Sequence, residues 1–297
     1  MSTNSKGVTA AAAAFSIWGL FPLYFHLLLA VSPLQIIAHR VVWSCLFVFV
    51  WMAFRGELGA VRAALGNRAA VSRLALTAAL ITVNWVVYVW AVAHGQVLEG
   101  SLGYFIGPLV NVLLGVVLLS ERLTPAQWTS VSLAAAGVAY LTFAAGRPPW
   151  IALTLAVSFA FYGLLRKVVK VEALPGLATE TLLLVPLAAG FLIWCEANGT
   201  GSLGHSTPLL NVLMIGAGPI TAITLYLYAY GTRLIPYSTV GLLQYIAPTG
   251  QFLCGVWILH EPFDKHRAIG FVLIWTALFI YAGDGVRQAR RLQRAYA

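Results

Sequence analysis

The sequence predicts an all-α polytopic membrane protein. It has ten transmembrane helices in two five-helix inverted repeats, with both termini cytoplasmic. Three observations carry this reading. Hydrophobic residues make up 60% of the 297-residue chain and charged residues only 9%, with a mean hydropathy of +0.86, unlike any soluble globular domain. Apolar runs long enough to cross about 30 Å of hydrocarbon recur throughout. In lipid, a helix satisfies its own backbone and an open sheet does not. Lastly, the chain repeats itself: IGPLVNVLLGVVLLSE at 106–121 returns as IAPTGQFLCGVWILHE at 246–261, an offset of 140, and FSIWGL at 15–20 returns as FAFYGL at 159–164. An odd number of spans per copy turns the second copy upside down across the membrane, as in many secondary transporters.

The first unit, residues 1–145, holds spans at 8–31, 34–54, 72–93, 100–119 and 126–144. The first run is too long, and too poor in a small-residue cleavage site, for a removable signal peptide to be expected. The longest polar connection, RGELGAVRAALGNRAAV at 55–71, reads as a surface helix with Arg55, Arg62 and Arg73 at the headgroups. AGRPP at 145–149 marks the boundary between units. The second unit, residues 150–285, holds spans at 150–166, 176–195, 209–232, 239–259 and 267–284. Its Gly/Ser-rich segment 197–208 reads as an outside loop, and residues 286–297 form a basic cytoplasmic tail.

A net charge of +9 raises the question of nucleic acid. Position answers it. With the N-terminus inside, fourteen of the eighteen cations fall on cytoplasmic segments, Arg147, Lys265 and Arg267 fall outside, and Arg40 lies within a span. That is the positive-inside pattern, so the basicity sets topology, and the tail faces anionic lipid. The expected partners are a small-molecule substrate and the lipid bilayer, with no nucleic acid, and the expected unit is a monomer. Cys45, Cys195 and Cys254 are odd in number and scattered within spans, so they read as small buried hydrophobes. No cofactor and no metal are expected. HEPFDKH at 260–266 lacks a second His at i+4, and Pro262 breaks the helix a zinc motif needs. Without a nucleophile elbow or P-loop either, the chain does not read as an enzyme.

WGLFPLYF (18–25), AHRVVWS (38–44), NWVVYVWAVAHGQVLEGSLGYFIGPLVNVLLG (84–115) and LLQYIAPTGQF (242–252) resemble RarD-type members of the EamA family, within the drug/metabolite transporter superfamily. The resemblance covers essentially the whole chain. It implies ten helices, two five-helix repeats, and export of small metabolites such as amino acids. Amino-acid exporters of the YddG type belong to the same superfamily.

The candidate substrate cavity follows from helical spacing. Asn84 and Tyr88 share a face of the third span, and Thr224 and Tyr228, 140 positions on, share a face of the eighth. Tyr104, Pro108 and Asn111 share a face of the fourth, matched by Gln244, Pro248 and Gln251 in the ninth. Trp18 beside Gly19 and Tyr162 beside Gly163 complete the set. Aromatic faces with a few uncharged amides and hydroxyls suit zwitterions or amphiphiles with apolar side chains. Any one of these polar residues also has a reading as interhelical glue. Pro22, Pro108 and Pro248 each free a backbone carbonyl and are candidates for bends or gating. Arg40, about six residues into the second span, either snorkels outward with help from Ser44, or meets a substrate carboxylate or forms part of an outer gate. His39 and His26 are further titratable candidates. No acidic residue is placed at mid-membrane depth, and Glu99 is expected to cap the fourth span. The function predicted is export of amino acids, aromatic or apolar ones foremost, or related small metabolites from the bacterial inner membrane by alternating access. Drug or other metabolite efflux and a membrane scaffold are the alternatives.

Overall fold

The computed structural model describes residues 3–119, 123–169, 171–235 and 243–295. Glu121, the sequence counterpart of Glu261, lies outside the described residues. Among the described residues every regular element is helical: α1 (Thr3–Gly19), α2 (Phe21–His26), α3 (Pro33–Phe54), α4 (Leu58–Gly66), α5 (Arg68–Ala93), α6 (Val97–Leu119), α7 (Pro125–Ala145), α8 (Trp150–Val168), α9 (Ala173–Ala197), α10 (Pro208–Leu234), α11 (Ile246–Leu253) and α12 (Lys265–Ala295). Seven spans among them are long and apolar enough to cross a membrane. Three shorter apolar helices, Val97–Val110, Trp150–Arg166 and Ile246–Ile258, stand where the fourth, sixth and ninth spans are predicted.

The helix starts are written in the sequence. Ser32, Asn67, Thr124 and Thr207 each accept a backbone N–H from the third helical residue of α3, α5, α7 and α10, removing an orphan donor that lipid leaves unsatisfied. Thr124 and Gln127 complete a capping box. Asp264 does the same for α12. Its carboxylate accepts from the Arg267 N–H at 2.8 Å, and that bond holds it below the usual carboxylate range.

The first predicted span is broken. α1 gives way at Leu20 to α2, and Pro22 sits in the first turn of α2. A proline there has no intrahelical bond to lose, so Pro22 begins a helix instead of bending one. Pro108 is the opposite case, lying inside α6. Pro248 stands in the first turn of α11, so the ninth span is interrupted before the proline, at Gln244 and Tyr245, and departs from α geometry again at a π-helical turn, Cys254–Ile258.

Packing threads the two sequence halves through each other. α1 packs on α10, α3 on α9 and α10, α5 on α8, α6 on α8 and α11, and α7 on α12. Small residues set the closest approaches. A Cβ on Gly103 would stand 2.6 Å from the Ala152 carbonyl oxygen of α8, and one on Gly19 would meet Ala247 and Gly250 of α11 at 3.4 Å. Gly163 faces open space, so of the two matched glycines only Gly19 brings helices together.

One end of the bundle is closed by carboxylates that cap helices of the other half. Glu261, after the π-helical turn, accepts from the amides of Val97 at 2.5 Å and Leu98 at 2.9 Å, at the start of α6. His260, at φ +52°, makes the tight reversal that places it there. Glu99 does not cap its own helix as expected. It accepts from the Ile151 amide of α8 at 3.0 Å, because Glu261 already occupies the α6 terminus. α4 lies at the opposite end, its buried Val61 packed with Leu174 and Leu177 of α9.

Gly103→Ala is expected to lower the thermal midpoint in detergent by several degrees, because its methyl group meets backbone that has no rotamer to yield. Gly163→Ala is expected to leave the midpoint unchanged or raise it, since alanine is the better helix former by about 0.5–1 kcal/mol. Equal midpoints for the two variants would contradict the close α6–α8 approach.

Candidate functional site

Between the halves lies a cavity of about 110 Å³, walled by Phe15, Trp18, Phe21, Trp85, Tyr88, Tyr104, Phe159 and Tyr228, with Arg40, Asn84, Gln244 and Gln251 supplying polarity. Pro108 and Pro248 also line it. A larger, open groove of about 380 Å³ at the α4 end is lined by five alanines with Asn67, Arg73 and Glu172 among the rest.

The aromatic walls form two interlocked groups. Phe15, Trp18 and Tyr228 meet with centroids 5.5–5.6 Å apart. Across from them Tyr88 contacts Tyr104 at 5.6 Å, and Tyr104 meets Phe159 edge-on at 6.0 Å. Each group draws residues from both halves. Such tilted and edge-to-face pairs fix ring orientation beyond what area burial does.

Arg40 is the sharpest feature. It is 3% exposed. Its Nε donates to Thr221 Oγ1 at 2.6 Å, and its guanidinium lies 4.1 Å from the Trp85 ring centroid, with Phe21 and Phe25 at 5.4 and 5.8 Å. Among the described residues no carboxylate comes within ion-pair distance of it. The snorkelling reading is therefore overturned. The side chain turns inward, and Ser44, expected to help it outward, donates instead to the Gly218 carbonyl at 3.0 Å. A buried cation held by one hydroxyl and aromatic faces retains donors for an anion.

The other predicted residues divide. Asn84 lines the cavity but is fully engaged: its amide donates to Leu155 O and Ser158 Oγ, both at 3.0 Å, and its carbonyl accepts from Tyr104 OH at 2.8 Å. It ties α5, α6 and α8 together and positions Tyr104. Tyr88 is 3% exposed, and its hydroxyl has no hydrogen-bond partner. Gln251 is alike: its amide donates to the Trp18 carbonyl at 3.2 Å, while its buried oxygen has no partner. Trp18, Tyr228 and Gln244 line the cavity. Thr224 does not. Its hydroxyl back-bonds within α10 and accepts the Trp18 indole N–H at 3.1 Å, so it stands behind Trp18 and orients it. Tyr162 packs on Phe159 at 6.0 Å, outside the lining. The side chain of Asn111 lies outside the described residues. His39 is buried away from the cavity and His26 is exposed.

Sequence reading did not single out Trp85, Phe15 or Phe159 as lining. Trp85 follows Asn84 directly and was legible only once Arg40 was known to turn inward. One acid expected near a helix end is buried in the helix packing. Glu180, 3% exposed and six residues inside the Leu174–Ala197 span, accepts from Thr77 Oγ1 at 2.7 Å and lies 3.6 Å from an Arg166 nitrogen. It was placed at a helix end because the span was drawn from 176 and not from 174.

The chain matches the EamA-like transporter family twice, over residues 5–143 and 148–283. It is 43% identical over 97% of its length to an uncharacterized transporter of Pseudomonas aeruginosa, covering 96% of that protein. It is 42% identical to the uncharacterized transporter YojE of Bacillus subtilis, covering 97% of each chain. It is 39% identical to Protein RarD of Escherichia coli, over 97% of this chain and 98% of that one. A crystal structure of a protein 20% identical shares the fold, with a TM-score of 0.61 over 93% of this chain and 97% of the other.

Two substitutions separate lining from scaffold. Asn84→Leu strands the Tyr104 hydroxyl and removes both bonds to α8, and is expected to destabilise by about 1–3 kcal/mol. Tyr88→Phe removes a hydroxyl that holds nothing, and is expected to leave the detergent unfolding midpoint unchanged while weakening ligand-induced protection from thermal unfolding.

Proposed function

Because the chain belongs to the EamA-like transporter family, we propose that it exports amino acids, foremost those with aromatic or apolar side chains, or related small metabolites, across the bacterial inner membrane. The observation that carries this reading is Arg40. A guanidinium buried beside the cavity, with no carboxylate paired to it among the described residues, asks for an anionic group from the ligand. The unpartnered oxygens of Tyr88 and Gln251 offer acceptors for an ammonium group. The two aromatic groups supply an apolar bed between them. One cation, two acceptor oxygens and aromatic walls match a zwitterion with an apolar side chain.

Transport is by alternating access. Ten spans form two five-helix inverted repeats, with both termini and α4 in the cytoplasm. The packing pattern supports this arrangement. The α1–α10 pair is answered by α8–α5, the α6–α8 pair by α11–α1, and α3–α9, α6–α11 and α7–α12 pair counterpart with counterpart. A twofold axis in the membrane plane requires that exchange. The Glu261 and Glu99 caps then seal the outer end, and rocking of one half against the other breaks and remakes them. Efflux of planar drugs is a second reading that the aromatic walls favour, and the uncompensated Arg40 turns it toward anionic or neutral compounds and away from cationic ones.

Flux of radiolabelled amino acids in proteoliposomes tests the proposal. The wild type is expected to carry aromatic amino acids. Arg40→Gln is expected to reduce flux by about ten- to a hundredfold, since a charge-assisted hydrogen bond contributes roughly 1.5–3 kcal/mol. No protein-dependent flux of any amino acid would remove this substrate class.

A further inference from the structure

Glu180 stands 140 positions after Arg40, the offset that aligns the two sequence repeats. The two buried charges occupy matching places with opposite sign. Each takes a threonine hydroxyl from the other half: Arg40 that of Thr221 in α10, Glu180 that of Thr77 in α5. Glu180 lies about 9 Å along α9 from the start of its span, too deep for a carboxylate without a purpose or a partner.

Its surroundings fit both protonation states. The Thr77 hydroxyl lies 2.7 Å from Glu180 Oε1 and 2.9 Å from the Leu74 carbonyl. It has one hydrogen to give. With Glu180 ionised, Thr77 donates to the carboxylate. With Glu180 protonated, its O–H donates to Thr77 Oγ1, and the Thr77 hydrogen turns to Leu74. Neither the Thr77 hydroxyl nor Glu180 Oε1 is stranded in either state. The second contact, 3.6 Å to Arg166, is an ion pair too long for a hydrogen bond, so it favours the anion without locking it. Arg166 is brought there because Gly176 leaves no side chain in its way. Among the described residues the other elements around Glu180 add no charge. α8 contributes Tyr162 besides Arg166, α3 contributes Cys45 beside Thr181 with Val48 and Met52, α4 contributes Val61, and α10 contributes Ala222 with Tyr226 at the rim. Arg62, Arg68 and Arg73 are exposed.

We propose that Glu180 is a proton-binding site, loaded and emptied as the two halves part and close at the α4 end. Loading forms one O–H bond on the carboxylate as a hydronium ion gives up its proton, and it cancels the charge facing Arg166. This extends the transport reading by naming an ion that moves with the cycle.

Infrared difference spectroscopy of the purified full chain, titrated through neutral pH, reads the site with no substrate present. The expected result is a protonated-carboxyl C=O band that grows as pH falls. It should be absent in Glu180→Gln and shifted but retained in Thr77→Val. A wild type without a titrating buried-carboxyl band overturns the proposal whether or not a variant folds, and so does the same band in Glu180→Gln. Because no substrate enters, failure here leaves the amino-acid reading standing, and failure of amino-acid flux leaves this result standing.

Discussion

A guanidinium buried within a membrane span, with no carboxylate beside it among the described residues, is the constraint around which this molecule is arranged. A cation in such a place costs several kcal/mol unless dipoles and ring faces replace its water. Here one threonine hydroxyl and three aromatic rings do so. Holding those groups in register requires α3 to lie against α10, and the Ser44 to Gly218 hydrogen bond one turn away keeps it there. Trp85, under the guanidinium, rides on α5, whose Asn84 is pinned to α8. The charge and the scaffold therefore specify each other. Among the described residues the charge compensation is incomplete, and the anion of the proposed ligand would complete it.

The rest of the interior follows the same economy of polar groups. Helix ends that lipid cannot solvate are capped by nearby side chains or, at the end away from α4, by carboxylates of the opposite half. Those caps join the halves through a few directional bonds. Each is expensive to lose singly, yet all can be exchanged together. A seam of that kind can be broken and remade as a unit, and the two aromatic groups, each drawn from both halves, repack with it.

Much of this was legible in the sequence. Period and composition gave helices, and residues of three separate predicted stripes, Asn84 with Tyr88, Tyr104, and Gln244 with Gln251, lie at the cavity, although the ninth span is not one continuous helix at Gln244. The polar connection 55–71 was read as a surface helix, and α4 lies within it. Side-chain direction was not legible. Nothing in the chain says whether Arg40 rises to the headgroups or turns inward, since both satisfy the same pattern and the choice lies with Trp85 and Thr221, 181 positions apart from Arg40 in the latter case. Thr224 shows the same limit: its stripe was right, but Trp18 stands between it and the cavity. Glu99 and Glu261 cap helices 52 and 164 positions away, and no local signal reports partners so distant.

The central claim is that the buried guanidinium reads a carboxylate. The most direct measurement is equilibrium binding of an aromatic amino acid to the purified protein, beside its carboxamide and its decarboxylated amine. All three carry the same ring, and only the first carries the anion. Binding of the amino acid, with binding of the other two weakened by at least about tenfold, is the result this account predicts. Equal affinity for the three would contradict it.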